Sequence, residues 1–405
     1  VRSEDADALK LFDMILDNSV AGLINLNLNQ NQKVREAGSF PLLMNDYGAQ
    51  FLWGIPKSGQ TLEEVEQLLL DQVALIRNGK FEDWIIPAIV NDFEKMQKLS
   101  IEENEGRATL IRDSFVANES WPDAMQTIEH MRKLTKQDVV RVANQHFGGG
   151  YVSGFRVDEP RTVPFIEKPK IDKVEIDSSR QSVFAKDISS RPVPDIDPVF
   201  VVEGEDYDTY DDAQGSRYYY TKNPINDLFA FSIRIDKGSR HDPRLPVAAL
   251  LLEKSGTEQF TPNELKKEWY RLGTDFSVSV GENETVFSLS GLDRNFVPSL
   301  ELLYDLLNAP QSDQATFDQL VQIVMAQRED AKKDQNTIFA ALTQFNRYGS
   351  ESRFLKMIPA AELKTLKAQD LLDALSSLLD IKRNVLYAGS LAVDDVLLES
   401  SHIFL

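Results

Sequence analysis

The residues best able to do chemistry in this sequence are few. There are four histidines, His130, His146, His241 and His402, and no cysteine. Without thiols the chain has no disulfide, no cysteine-ligated zinc, no iron–sulfur cluster and no thiol nucleophile. A hydrolytic metal site needs neutral imidazoles at helical spacing beside a carboxylate. No two of these histidines lie within five residues of each other, and no HExxH, HxxEH or HxH occurs. Each histidine reads instead as structure. His130 sits beside Glu129 and Arg132 on a helical stretch, and His146 precedes Gly148-Gly149-Gly150 near a helix end, where a cation suits the dipole. His241 follows Gly238 in a turn. There is no GxSxG, and the glycine run lacks the following helix and lysine of a phosphate loop. The eight carboxylates from Asp195 to Asp212 lack the ordered spacing of a calcium loop and read as solvated. From the residues alone, no catalytic, metal-binding or cofactor-binding site is expected in the 405 positions.

The elements that would have to position any chemistry are more informative. Hydrophobic residues make up 42% and charged residues 27%, which predicts a globular chain of two or three domains with real cores. A net charge of −20 argues against duplex nucleic acid or an anionic membrane as partner. No stretch approaches the roughly 18 apolar residues of a membrane span; the longest run, Pro246 to Leu252, fits a core helix. The opening residues, from Val1, carry no initiating Met and no signal peptide, so the expectation is a chain that starts within a longer protein or after processing.

Self-similarity organises the rest. The run Arg35 to Phe40 matches Tyr270 to Phe276, with Gly38 and Gly273 offset by 235 (273 − 38). Phe51 matches Phe287 and Phe81 matches Phe317, each by 236 (287 − 51 and 317 − 81). Gln137-Asp138 matches Gln369-Asp370 by 232 (369 − 137). Four matches in one order predict two copies of one fold. In the second copy, Leu228–Ile235 and Thr274–Val280 read as strands, Glu284–Gly291 as the hairpin partner of the latter, and Asn384–Gly389 as a last strand. Helices are expected over Pro243–Ser255, from the capping box Thr261-Pro262-Asn263-Glu264, and over Phe296–Leu307, Phe317–Lys333 and Ala368–Leu379. The predicted class is α+β, each copy a mainly antiparallel sheet covered by helices on one face. The first copy starts late. Residues 7–20 fall on the helix near Pro243–Ser255, nothing corresponds to the strands of Arg217–Ile235, and a sheet without its first strands exposes pairing edges. Between the copies, Pro160 to Pro198 holds six of the seventeen prolines and reads as an extended connector.

Several of these residues together resemble a known family. Tyr220 to Lys237 running into Gly238-Ser239, then Ser255-Gly256-Thr257, Glu264-Leu265 and Leu272-Gly273-Thr274, is similar to the opening of a domain of the pitrilysin/insulinase zinc metallopeptidases. Leu134-Thr135 with Asp138-Val139 resembles the close of such a domain. The resemblance implies a mitochondrial-processing-peptidase-like fold. The family's HxxEH lies in the helix before the Gly-Thr, and its positions fall here on Val247, Leu250 and Leu251. The third ligand falls near Gln327, and the nearby Glu329 has no histidines to join. The resemblance thus implies no zinc in this chain and an active, zinc-holding domain upstream in a longer parent. Large members are built as two halves of two similar domains around a peptide chamber. By that analogy residues 1–158 are a second domain lacking its first strands, 159–216 a Pro-rich acidic connector and 217–405 a third domain with a degenerate zinc-motif region. The implied function is the non-catalytic central portion of a zinc metalloendopeptidase, inactive alone, whose partners are the remaining domains and a peptide substrate. The alternative is a non-enzymatic scaffold or assembly subunit reusing the same fold. The compartment stays open between bacterial cytoplasm and periplasm.

Overall fold

The computed structural model describes residues 5–159, 164–173, 175, 177–212 and 215–401. The expectations placed on Val1, Pro160 and His402 lie outside the described residues. The first half opens with α1 (Ala6–Leu16), whose Leu11, Phe12, Ile15 and Leu16 are fully buried, and a π-helical turn over Asn25–Gln30. A hairpin follows, β1 (Glu36–Leu43) and β2 (Gly48–Ile55), and then five helices: α2 (Leu62–Arg77), α3 (Ile85–Glu102), α4 (Asn104–Val116), α5 (Trp121–Met131) and α6 (Lys136–His146). Capping boxes start α2 at Thr61/Glu64 and α6 at Thr135/Asp138. Helices α1, α2, α3 and α6 close around one apolar core with Val65, Ile76, Ile89 and Val139 at its centre.

Beyond the first half the described residues run almost wholly exposed, α7 (Val183–Ser190) included, until β3 (Asp208–Asp211) pairs with β4 (Arg217–Lys222). Next come β5 (Leu228–Ile235), α8 (Leu245–Leu252), α9 (Pro262–Leu272), β6 (Asp275–Val280) and β7 (Thr285–Leu292). Helices α10 (Phe296–Asn308), α11 (Gln314–Ala331), α12 (Gln335–Tyr348), α13 (Ala360–Leu363) and α14 (Ala368–Ser376) lead to β8 (Arg383–Gly389) and α15 (Val393–Ser401). The six strands order β3-β4-β8-β5-β7-β6, antiparallel except for β4 beside β8. Alternation along β5 buries Phe229, Phe231, Ile233 and Ile235 and leaves Ala230 and Arg234 in water, so helices cover one face. The chain is α+β.

Two glycines fix the strand ends. Gly273 ends α9 at φ 63°, where a side chain would be strained. A Cβ on Gly238 would meet the Gly281 carbonyl at 2.4 Å, so only glycine lets the turn after β5 rest on the β6–β7 turn.

The halves differ in their sheets. The first holds the hairpin alone, and residues 151–157 are exposed without a strand partner among the described residues. The match of Phe51 to Phe287 also fails in side-chain direction. Phe287 lies in the core of the second half, whereas Phe51 faces outward and Leu52 faces α2, because one residue of register reverses every side chain of a strand.

Candidate functional site

Helix α8 is where the resemblance places a metal. Its sequence, Leu-Pro-Val-Ala-Ala-Leu-Leu-Leu, has Pro246 in the first turn and no polar residue. Val247 and Leu251, four apart and therefore on one face, are 4% and 0% exposed within the second core, among the buried side chains of α10, α14 and the sheet. Leu250 points the other way and is 39% exposed. The face that would carry two imidazoles is thus packed with hydrocarbon and offers no lone pair to a cation. On α11, Gln327 is exposed and Glu329 pairs with Lys332 at 2.6 Å. Among the described residues no three His, Asp or Glu side chains come together as a metal-holding group.

The described histidines are dispersed. His130 is exposed on α5. His146, in the last turn of α6, lies 3.1 Å from Asp5, which also accepts from Arg141 at 2.7 Å. Those two hydrogen bonds hold the Asp5 carboxyl below its usual range, Arg141 more strongly than His146. His241 accepts the Gly238 N–H through Nδ1 at 3.2 Å, a turn contact.

Several ion pairs join the two halves where they meet. Lys95 of α3, 3% exposed, reaches Asp92 at 2.9 Å and Asp275 of β6 at 2.8 Å. Burial opposes its charge, yet the two carboxylates outweigh burial and raise its pKa. Lys98 joins Asp227 at 2.7 Å, Lys267 joins Glu82 at 2.7 Å and Arg35 joins Asp330 at 2.6 Å. Tyr270 of α9 is buried against the first core beside this group, and its hydroxyl has no partner among the described residues. Residues of both halves also line a polar cavity of about 280 Å³, among them Gln30, Gln32, Lys254, Asn263, Thr316 and Gln319. Burial pushes the Lys254 ammonium down, and its described hydrogen bond is to the Asn29 carbonyl at 3.1 Å. Sequence reasoning missed these residues. The only signal was Lys95 seven positions after the buried Ala88, a charge on the apolar face of α3.

A third feature is the outward face of the hairpin. Register places Phe40 opposite Phe51 and Gly38 opposite Trp53, with the two phenyl rings stacked at 5.0 Å. Phe40, Leu42, Phe51 and Trp53 are exposed there, and Asn45 at the turn donates to the carbonyl of Val116, bringing exposed Phe115 and Val116 alongside. The corresponding open face of the second sheet carries Ala230, Ser288 and Ser290.

The insulinase family, peptidase family M16, matches residues 217–352. Among solved structures, a peptidase M16 inactive domain from Pseudomonas fluorescens is 15% identical, covering 49% of this chain and 50% of its own, at a TM-score of 0.43. The periplasmic protease PqqL from Escherichia coli is 13% identical, over 99% of this chain and 47% of its own, at 0.44. A protease from Helicobacter pylori is 14% identical, over 49% of each chain, at 0.42. The chain spans about half the length of these structures. No curated protein matches it. Over residues 217–352, about a third of its length, this chain is therefore similar to the insulinase family, peptidase family M16.

Proposed function

We propose that the chain is a non-catalytic portion of a larger insulinase-type peptidase, that the zinc-holding domain lies upstream in the same polypeptide, and that this portion helps enclose a peptide. The observation that carries the reading is α8: at the positions where a metal would be held stand Val247 and Leu251, both inside the core. The exposed aromatic face of the hairpin supports the enclosing role, since an apolar wall suits the side chains of an extended peptide.

The two halves are read as copies of one fold. Their hairpins share a four-residue turn and an offset of 237 (280 − 43 and 285 − 48). Contacts between them are also reciprocal. Helix α9 meets α3, while the equivalent Asn25–Arg35 segment meets α11 through Gln32 to Thr316 and Arg35 to Asp330. Such exchange is what two copies about an approximate twofold axis produce.

Reading the polypeptide ahead of this chain tests the proposal. An HxxEH within the preceding few hundred residues supports it, and an upstream sequence without one favours a scaffold that reuses the fold. Peptide cleavage by the longer polypeptide, lost when those histidines are replaced, is the functional counterpart.

A further inference from the structure

The hairpin β1–β2 has two outer edges, and among the described residues only one of them is closed. Met44 donates its N–H to the Tyr47 carbonyl at 3.1 Å, so with Leu42 opposite Ala49 and Phe40 opposite Phe51 the ladder bonds of β2 run through residues 49, 51 and 53. The backbone of Ala37, Ser39 and Pro41 therefore points away from β2, and that of Gln50, Leu52 and Gly54 away from β1. On the β1 side Asn29 accepts the Ala37 N–H at 2.9 Å and donates to its carbonyl at 2.7 Å. Asp17 accepts the Ser39 N–H at 2.9 Å, and Pro41 has no N–H to offer. Side chains and a proline are the usual means of closing an edge. On the β2 side the outward N–H groups of Gln50, Leu52 and Gly54 have no partner among the described residues.

In the second half that same edge is occupied. Strand β7 lies between β6 and β5, with Phe287, Leu289 and Gly291 set against Ile233, Phe231 and Phe229. At the hairpin offset of 237 these three positions are Gln50, Leu52 and Gly54 (287 − 50, 289 − 52, 291 − 54). Beyond β5 the sheet continues with β8, whose counterpart at the offset of 232 read from the closing helices is residues 151–157 (383 − 232 and 389 − 232). Tyr151, Val152, Phe155 and Val157 there are exposed. The first half thus has residues equivalent to both neighbours of β5, and among the described residues no strand pairs with either of them on that side.

We propose that the free edge of β2 is a strand acceptor. It takes one extended segment of polypeptide, apolar at alternate positions, which runs antiparallel to β2, leads into α1 as β5 leads into α8, and pairs on its far side with residues 151–157. The inference rests on reading the halves as copies. Its occupant follows from β5, whose Phe229, Phe231 and Ile233 point at the helices, and from the marginal stability of an isolated two-stranded hairpin in water.

Hydrogen exchange tests it, on this chain and on a variant in which the chain's own Leu228–Arg244 sequence is joined ahead of Asp5. In the unmodified chain the amides of Gln50, Leu52 and Gly54 should exchange about a hundredfold faster than those of Phe51 and Trp53. In the extended variant they should slow by about the same factor, with residues 151–157 gaining protection. Should the variant misfold by circular dichroism, the same segment supplied as a lysine-flanked free peptide gives the same readout. Equal protection of Gln50 and Phe51 in the unmodified chain overturns the proposal, as does a dimer held through β2. Absence of protection from both the graft and the peptide also overturns it. None of these readouts involves zinc or peptide turnover, so they stand apart from the test of the non-catalytic reading.

Discussion

Placing the family's ligands back on α8 separates a vacant metal site from a piece of core. Leu251 has no exposed surface, so Leu251→His forfeits about 2–3 kcal/mol of side-chain burial. It also strands imidazole nitrogens in the hydrocarbon of the second core, which costs a further 1–3 kcal/mol or so. The expected loss is about 3–6 kcal/mol, against a total of about 5–15 for an ordinary domain. Val247→His, at 4% exposure, should lose about 2–4 kcal/mol from overpacking plus an unsatisfied ring. Leu250→Glu, at 39% exposure, should lose under about 1 kcal/mol. The assay is urea unfolding followed by circular dichroism, with and without zinc. The predicted order of cost is Leu251, then Val247, then Leu250, with no recovery on adding zinc. A Val247→His/Leu251→His double variant that binds one zinc and regains wild-type stability by mass action would refute the reasoning.

Other consequences follow from the junction of the halves. Lys95→Met leaves Asp92 and Asp275 without their shared cation; because Asp275 is half exposed and can rehydrate, the expected destabilisation is about 1–3 kcal/mol, read from the urea midpoint. Lys254 has its pKa lowered in the folded state, so the unfolded chain binds more protons just below the ordinary lysine range and stability should rise with pH there. In Lys254→Met that rise should shrink, and an unchanged slope in a pH series of unfolding curves counts against a desolvated ammonium. Asp5 titrates below its usual value, chiefly through its hydrogen bond from Arg141. The stability it contributes is present above the ordinary carboxyl pKa and lost as pH falls through the depressed one, so Asp5→Asn should flatten the acid limb of the same series.

Local signals made most of the second half legible. Alternation marked Leu228–Ile235, the capping box at Thr261 marked the start of α9, and Gly273 marked its end, since each is set by residues within a few positions. Val247 and Leu251 read as core from their apolar run, and they are buried. The facing of the hairpin was not legible. Matching Phe51 to Phe287 by one residue less than the hairpin register turned an outward ring inward, because a strand's side chains reverse with every step. Nor could sequence bring Lys95 to Asp275, which are 180 positions apart and meet only because α3 docks beside β6. The amide-lined cavity at Gln32 and Lys254 was hidden for the same reason: its walls come from both halves.

At the centre of the proposed function is the expectation that this chain holds no zinc and cleaves no peptide by itself. Equilibrating the purified chain with zinc, removing the excess by gel filtration, and measuring metal per chain alongside turnover of a quenched fluorescent peptide library tests it directly. The account predicts zinc well below one equivalent and turnover at the level of the buffer blank. One zinc per chain with chelator-sensitive cleavage would contradict it.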